Sequence, residues 1–311
     1  MLSRYRNDMR RAWSRIAAVP TRGLDTRFGT VEYAERGSGL PVLVAHGVLG
    51  CHADGIDGWW TNMLGEGFRV VAPSRFGYFG SALPPDATPA DQADAYALLL
   101  DHLGIDRAAV VAYSAGSASA LEFARRHPDR VVGLILANAR LGGSAPNRVL
   151  EPVLRAAYGR ERLFWLYRAV LPSAYARMLG VPKGYQPTPD DVATVSAVSE
   201  LQFPLKPRRL GAVFDGFVSN MVADRFPFEE LTVPTLVVSA VDDHWAPYTH
   251  AVTAASRVPG AQLVTIDQGG HLFLGHDAQV RTAIGGFIAA VTRREGGEVA
   301  SSVRVPVLHE G

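Results

Sequence analysis

The chain has 311 residues, 48% of them hydrophobic and 20% charged, with a formal net charge of +1. That length suits one large α/β domain, or a core with an inserted segment, and the charge gives no reason to expect nucleic acid or an anionic surface as the main partner. A single cysteine, Cys51, excludes an intrachain disulfide framework and points to a reducing, cytoplasmic setting, and no apolar run approaches the ~18 residues of a membrane span.

Arg4, Arg6, Arg10, Arg11 and Arg15 stand against a lone Asp8 at the N-terminus. They look like the front of an export signal, but Ile16-Ala-Ala-Val-Pro20 is too short for its apolar region. Residues 1–21 are therefore expected to be a basic helical segment lying on the domain surface. Leu24 to Arg36 alternates apolar and polar around Gly29, as an antiparallel hairpin does. Buried strands are predicted at Pro41–Ala45 and Phe68–Ala72. Thr88-Pro-Ala-Asp91 supplies an N-cap, a proline at the first helical position and a carboxylate at the third. The helix it opens places Tyr96, Leu99, Leu100 and Leu103 on one face and ends at Gly104.

A strand at Ala108–Tyr113 then gives way to a small-residue helix that runs up to His127-Pro128, and Val131–Ala137 is the next strand. Strands alternating with helices argue for a parallel sheet with right-handed crossovers. The rhythm stops at Asn138. Over 140–225 there are only helical stretches, at Arg148–Tyr158, Glu161–Leu171, Pro189–Phe203 and Pro207–Ala223, which read as a helical cap inserted into the core. Strands resume at Thr235–Ser239 and Gln262–Ile266, followed by a helix over about Ala278–Arg293. The core is thus 22–139 with 226–294, and 295–311 is expected to be a flexible tail, with Val303-Arg-Val-Pro-Val apolar enough to pack.

Ser114 stands where the strand turns into the helix. A sharp strand-to-helix turn strains the turning residue, throws its side chain clear, and tolerates only small residues two places either side. Those places hold Ala112 and Gly116. This is the nucleophile-elbow pattern, and the helix behind it aims its N-terminal dipole at any anion formed there. A serine hydroxyl needs a base, and the base needs a third group to orient it. Of nine histidines, His271 in Gln268-Gly-Gly-His271 follows the last strand and is the strongest candidate. His276 reads as a surface or supporting residue. Asp242 and Asp243 both follow the strand ending at Ala240, and periodicity does not choose between them; the loop Asn138-Ala139-Arg140 has no carboxylate. N–H donors for an oxyanion are available from Ala115 and from Val48 in His46-Gly-Val-Leu-Gly50.

No metal is expected, because the chain lacks His-Glu-x-x-His and paired cysteines, and His52, Asp54 and Asp57 read as loop polarity. No phosphate-binding or dinucleotide fingerprint is present, so no cofactor is expected. Cys51 reads as a small buried residue.

On His46-Gly47, Pro73-Ser-Arg-Phe-Gly-Tyr78, Asp91-Gln-Ala-Asp-Ala with Leu103-Gly-Ile-Asp-Arg-Ala, Ser114-Ala-Gly-Ser and Gly269-Gly-His-Leu, the chain resembles the capped bacterial serine hydrolases of the α/β-hydrolase superfamily. The resemblance implies a mostly parallel twisted sheet with helices on both faces. In that family the acid commonly precedes a proline by four residues, which implies Asp243 ahead of Pro247. It departs at Ala112, where glycine is usual, and at Ser74, where many relatives carry aspartate. A serine nucleophile argues against dehalogenases and epoxide hydrolases. The resemblance therefore implies hydrolysis of carboxylic esters by Ser114, His271 and Asp243. A carbon–carbon bond hydrolase of diketone-type substrates is one alternative, and a non-catalytic receptor of a small ligand is another.

Phe164, Trp165, Tyr167, Phe203, Phe214 and Phe217 concentrate aromatic weight in the inserted segment. Its charges, Arg148, Arg160, Arg162, Lys183, Arg208 and Arg209, fall mainly at helix ends and loops, where solvation is easy. Small, uncharged, moderately apolar substrates are the expectation.

Overall fold

Six short runs of β-branched and small apolar residues form the parallel heart of an eight-stranded sheet in the computed structural model, which describes residues 1–58, 60–142, 151–219 and 225–302. The strands are β1 (Arg22–Thr26), β2 (Gly29–Arg36), β3 (Leu40–Ala45), β4 (Phe68–Pro73), β5 (Ala108–Tyr113), β6 (Val131–Ala137), β7 (Thr235–Ala240) and β8 (Gln262–Ile266). Their order is β1-β2-β4-β3-β5-β6-β7-β8. β1 and β2 form the antiparallel hairpin expected around Gly29, β2 pairs antiparallel with β4, and the rest are parallel. Every residue of β5, β6 and β7 is buried, as befits strands covered on both faces.

The helices in chain order are α1 (Leu2–Ala17), α2 (His52–Asp57), α3 (Trp60–Leu64), α4 (Pro89–His102), α5 (Ser117–Arg126), α6 (Glu151–Tyr158), α7 (Glu161–Val170), α8 (Pro172–Met178), α9 (Pro189–Leu201), α10 (Arg209–Phe214), α11 (Tyr248–Arg257) and α12 (Asp277–Ser302). α4 opens on the expected cap, in which Thr88 Oγ1 accepts the Asp91 N–H at 3.2 Å and Asp91 accepts the Thr88 N–H at 2.9 Å. Its Tyr96, Leu99 and Leu100 join Leu121 and Phe123 of α5 and Ala251 and Ala254 of α11 against one face of the sheet. Each such large side chain contributes about 1.5–3 kcal/mol on burial. Met63, Ile284, Phe287, Ile288 and Val291 cover the other face from α3 and α12.

Between β6 and β7 the described residues form helices and no strand. α10 continues as a π-helical turn over Asp215–Ser219. The expected helix start at Arg148, the reach to Ala223 and the apolar run at Val303 lie outside the described residues. α12 begins at Asp277 and continues past Arg293 to Ser302, since no proline interrupts it before Pro306. α2, α3, α8 and α11 are additions to the sequence reading. The first three are seven residues or fewer, too short for periodicity to declare them.

α1 is helical as expected, but it does not simply lie on the core. Met9 and Ala12 enter a cluster with Trp165, Tyr175, Leu179, Val198 and Phe203 of the β6–β7 connection and Leu272 and Leu274 of the loop after β8. Trp165 Nε1 donates to Asp8 at 2.8 Å, Tyr5 Oη donates to Glu161 at 2.8 Å, and Arg15 donates to the Glu200 carbonyl at 2.8 Å. The helix straps that connection to the rest of the fold.

Candidate functional site

β5 delivers Ser114 above the carboxyl edge of the sheet. The residue adopts φ +50°, the left-handed strain that a sharp strand-to-helix turn imposes on an ordinary side chain. A β-carbon on Gly116 would lie 2.3 Å from the Ala45 carbonyl oxygen, so no other residue fits there without moving β3. Ser114–Gly116 form one 3₁₀ turn leading into α5, and the N–H groups at its start find no carbonyl within the turn.

The loop after β8 brings His271 back over the sheet. Its Nε2 lies 2.9 Å from Ser114 Oγ, and its Nδ1 lies 2.6 Å from Asp243 Oδ2. The other oxygen of Asp243 accepts the N–H groups of Trp245 at 2.8 Å and Ala246 at 3.1 Å. Asp243 is therefore fixed by its own loop before it meets the imidazole. Asp242 points elsewhere and accepts the N–H groups of Gly269 at 3.2 Å and Gly270 at 2.8 Å. His276 stands apart, bonded to Gln279.

Other groups holding the histidine were not legible in the sequence. Asn138, fully buried with φ +39°, donates to the carbonyls of Gly270 and His271, both at 3.0 Å, and accepts the Ala240 N–H at 2.9 Å. Tyr113 Oη donates to the His271 carbonyl at 2.8 Å. From the β6–β7 connection, the Gly180 carbonyl accepts the His271 N–H at 3.1 Å, and the Met178 carbonyl accepts Trp245 Nε1 at 2.9 Å. An asparagine just past a strand end, tolerant of positive φ, is the one local signal that could have flagged Asn138.

Beneath the loop 46–51 lies a buried polar network. His46 donates from Nδ1 to the Gly47 carbonyl at 2.8 Å and accepts the Arg75 N–H at Nε2 at 3.0 Å, which sets its tautomer. Burial, with Arg75 nearby, holds its pKa well below the usual histidine value, so the ring is neutral. Arg75 forks onto Asp215 at 2.6 and 2.5 Å, and Tyr78 Oη donates to the same carboxylate at 2.6 Å. Arg208 donates to the Leu49 carbonyl and sits 3.8 Å from Asp54.

Two sequence expectations change here. Arg208 is fully buried instead of solvated, because it ties the β6–β7 connection to the loop after β3. His52 and Asp54 are buried in α2 and are not loop polarity: His52 contacts Ser74 Oγ at 2.9 Å, and Asp54 accepts the Cys51 N–H at 2.6 Å. Of the six aromatic residues of the inserted segment, Phe164 lines the cavity that opens at Ser114. Trp165, Phe203, Phe214 and Phe217 are buried, and Tyr167 packs with Trp165 and Phe203 in the α1 cluster. Cys51 is buried as expected, and burial pushes its thiol up to about 12.

Ser114, Ala115, His271 and Val48 open into a cavity of about 280 Å³. Leu179, Val198, Leu201 and Ala212 supply apolar wall from the β6–β7 connection, and Arg140 and Asp54 are also at its surface. Its volume matches the small end of ligand sites.

Residues 41–277 match the family model described as alpha/beta hydrolase fold. The chain is 29% identical to an alpha/beta hydrolase fold protein from Nakamurella multipartita, with a TM-score of 0.67 over 87% of this chain and 99% of that one. It is 25% identical to a thermophilic esterase from Thermogutta terrifontis (malate bound), with a TM-score of 0.63 over 88% and 99% of the two chains. A 2-hydroxymuconate semialdehyde hydrolase of Pseudomonas sp. (strain CF600) is 27% identical over 268 residues, covering 82% of this chain and 89% of that protein. With the sheet order, the crossovers and a match spanning most of its length, the chain belongs to the α/β-hydrolase superfamily and is a hydrolase of that fold.

Proposed function

We propose that the protein is a serine hydrolase of small carboxylic esters. The observation that carries this reading is the continuous relay from Ser114 Oγ through His271 to Asp243, at 2.9 and 2.6 Å, on the wall of a small, mainly apolar cavity. Ser114 Oγ attacks the carbonyl carbon while His271 Nε2 takes its proton, and Asp243 orients the ring and stabilises the imidazolium. The N–H groups of Val48 and Ala115 hold the oxyanion. His271 returns the proton to the leaving alcohol, leaving an acyl group on Ser114. Water then repeats the sequence and frees the acid.

Residues 140–225 act as a cap in this reading. The apolar wall they contribute and the latch from Gly180 to His271 support that role. A second reading, hydrolysis of a carbon–carbon bond in a diketone-type substrate, draws on the similarity to the 2-hydroxymuconate semialdehyde hydrolase. A fold shared among many reactions does not choose between them.

A fluorophosphonate probe with peptide mapping and the turnover of p-nitrophenyl butyrate test the proposal together. Labelling at Ser114 alone with ester turnover is expected. Labelling without ester turnover, but with cleavage of a vinylogous diketone, would favour the second reading. No label and no turnover on folded protein would leave a ligand receptor.

A further inference from the structure

The cavity surface carries two charged side chains, Asp54 and Arg140. Asp54 has a partner in Arg208, and deeper in the fold Arg75 is matched by Asp215. Arg140 is different. Its guanidinium has neither an ion-pair nor a hydrogen-bond partner among the described residues, and its Nε is shut off from solvent without one. Such an arrangement costs desolvation with nothing returned by the protein.

Its backbone is nevertheless held firmly beside the nucleophile. The Arg140 N–H donates to the Ser114 carbonyl at 3.2 Å, and Ser117 Oγ donates to the Arg140 carbonyl at 3.1 Å. A flexible cation anchored one hydrogen bond from Ser114, facing an otherwise largely apolar cavity, is suited to a planar anion, because its fork matches a carboxylate in two places.

We propose that Arg140 binds an anionic group of the substrate, a carboxylate lying a few bonds from the scissile carbonyl, so that half-esters of dicarboxylic acids are the preferred class. This inference rests on Ser114 acting as the nucleophile of an ester hydrolase. It replaces the uncharged substrate expected from the sequence, which placed the relevant charges in the cap and took Arg140 only as a loop lacking an acid. The apolar wall then holds the body of the substrate, while Arg140 fixes one end and sets which carbonyl meets Ser114.

The test is the ratio of kcat/KM for mono-p-nitrophenyl glutarate to that for p-nitrophenyl butyrate, measured within each variant so that folding losses cancel. The wild type should favour the half-ester by about tenfold or more, mostly through KM, and raising ionic strength should shrink the margin. R140Q should bring the ratio to about one, while R140K, which keeps the charge, should retain part of the preference. A wild-type ratio at or below one, or a ratio unchanged in R140Q, would overturn the proposal. Binding separates this outcome from a failure of the ester reading. Calorimetry of glutarate on the S114A protein, which needs no chemistry, should show binding that weakens about tenfold when R140Q is added. Equal glutarate affinity in S114A with and without R140Q removes the anion site even if ester turnover is robust. Loss of turnover with Arg140-dependent glutarate binding removes the ester chemistry and leaves the anion site in place.

Discussion

Asp242 and Asp243 grip the same histidine loop from two directions. Asp243 reaches the imidazole, with Oδ2 2.6 Å from His271 Nδ1, while Asp242 accepts the Gly270 N–H at 2.8 Å and so holds the backbone one residue earlier. One aspartate sets the ring and its neighbour sets the loop that carries the ring. In the proposed mechanism the two should fail differently.

D243N should lower kcat by about 10³–10⁴-fold with little change in folding, since the ring loses the charge that fixes its tautomer. D242N keeps an acceptor oxygen toward Gly270 and should cost about tenfold or less. D242A removes it and should lower both Tm and kcat. Parallel kinetics and thermal melts check the ranking, and a D242N enzyme slower than D243N would reverse the assignment.

Gly180 tests the latch between the β6–β7 connection and the histidine loop. A β-carbon there would lie 2.1 Å from His271 Cβ, at φ +103°. G180A should displace His271 and reduce kcat by at least about tenfold, given how strongly rates respond to small misplacements. G184A is the control, with φ +83° and open space around it. It should show only backbone strain of about 1 kcal/mol and near-normal kcat.

The Arg75–Asp215 pair joins the strand-end loop after β4 to the π-helical turn, with both side chains buried. Leaving either charge alone should be expensive: D215N or R75M should lose about 3–5 kcal/mol of stability, whereas an apolar replacement of both should lose much less. A double-mutant cycle by urea denaturation measures the coupling. Additive losses would mean that Tyr78 satisfies Asp215, and the Gly47 carbonyl, to which Arg75 donates at 3.3 Å, satisfies Arg75, each without the other.

His46 predicts a pH dependence of stability. Its folded-state pKa lies well below its unfolded one, so between the two values the unfolded chain binds the extra proton. Stability is then full above about pH 6.5, the ordinary histidine range, and falls as pH drops below it. Urea midpoints at pH 7.5 and 5.5 should separate more in the wild type than in H46Q. An equal separation would mean that another group governs the acid limb.

The sequence by itself determined the sheet and the elbow, because both obey local rules. Runs such as Val131–Ala137 are buried on both faces and so read as apolar throughout, and the strand is found within those bounds. The steric demand around Ser114 is met within two residues on either side. The N-cap Thr88 with Asp91 is likewise complete within one turn.

Only the tertiary structure decided the rest, since it depends on groups far apart in the chain. Asp242 and Asp243 are chemically identical neighbours; the family resemblance implies Asp243 from its spacing to Pro247, but the local pattern does not choose, and the contact itself depends on how the loop after β7 leaves the sheet. Arg75 and Asp215 lie 140 positions apart, and Asn138 reaches a carbonyl 133 positions on. Arg208 looked like a solvated surface charge until packing buried it. Arg140 looked like an ordinary loop residue until the fold set it beside Ser114. Local sequence constrains backbone shape over a few residues, but whether a charge is paired, buried or left facing a cavity is settled by what the rest of the chain brings against it.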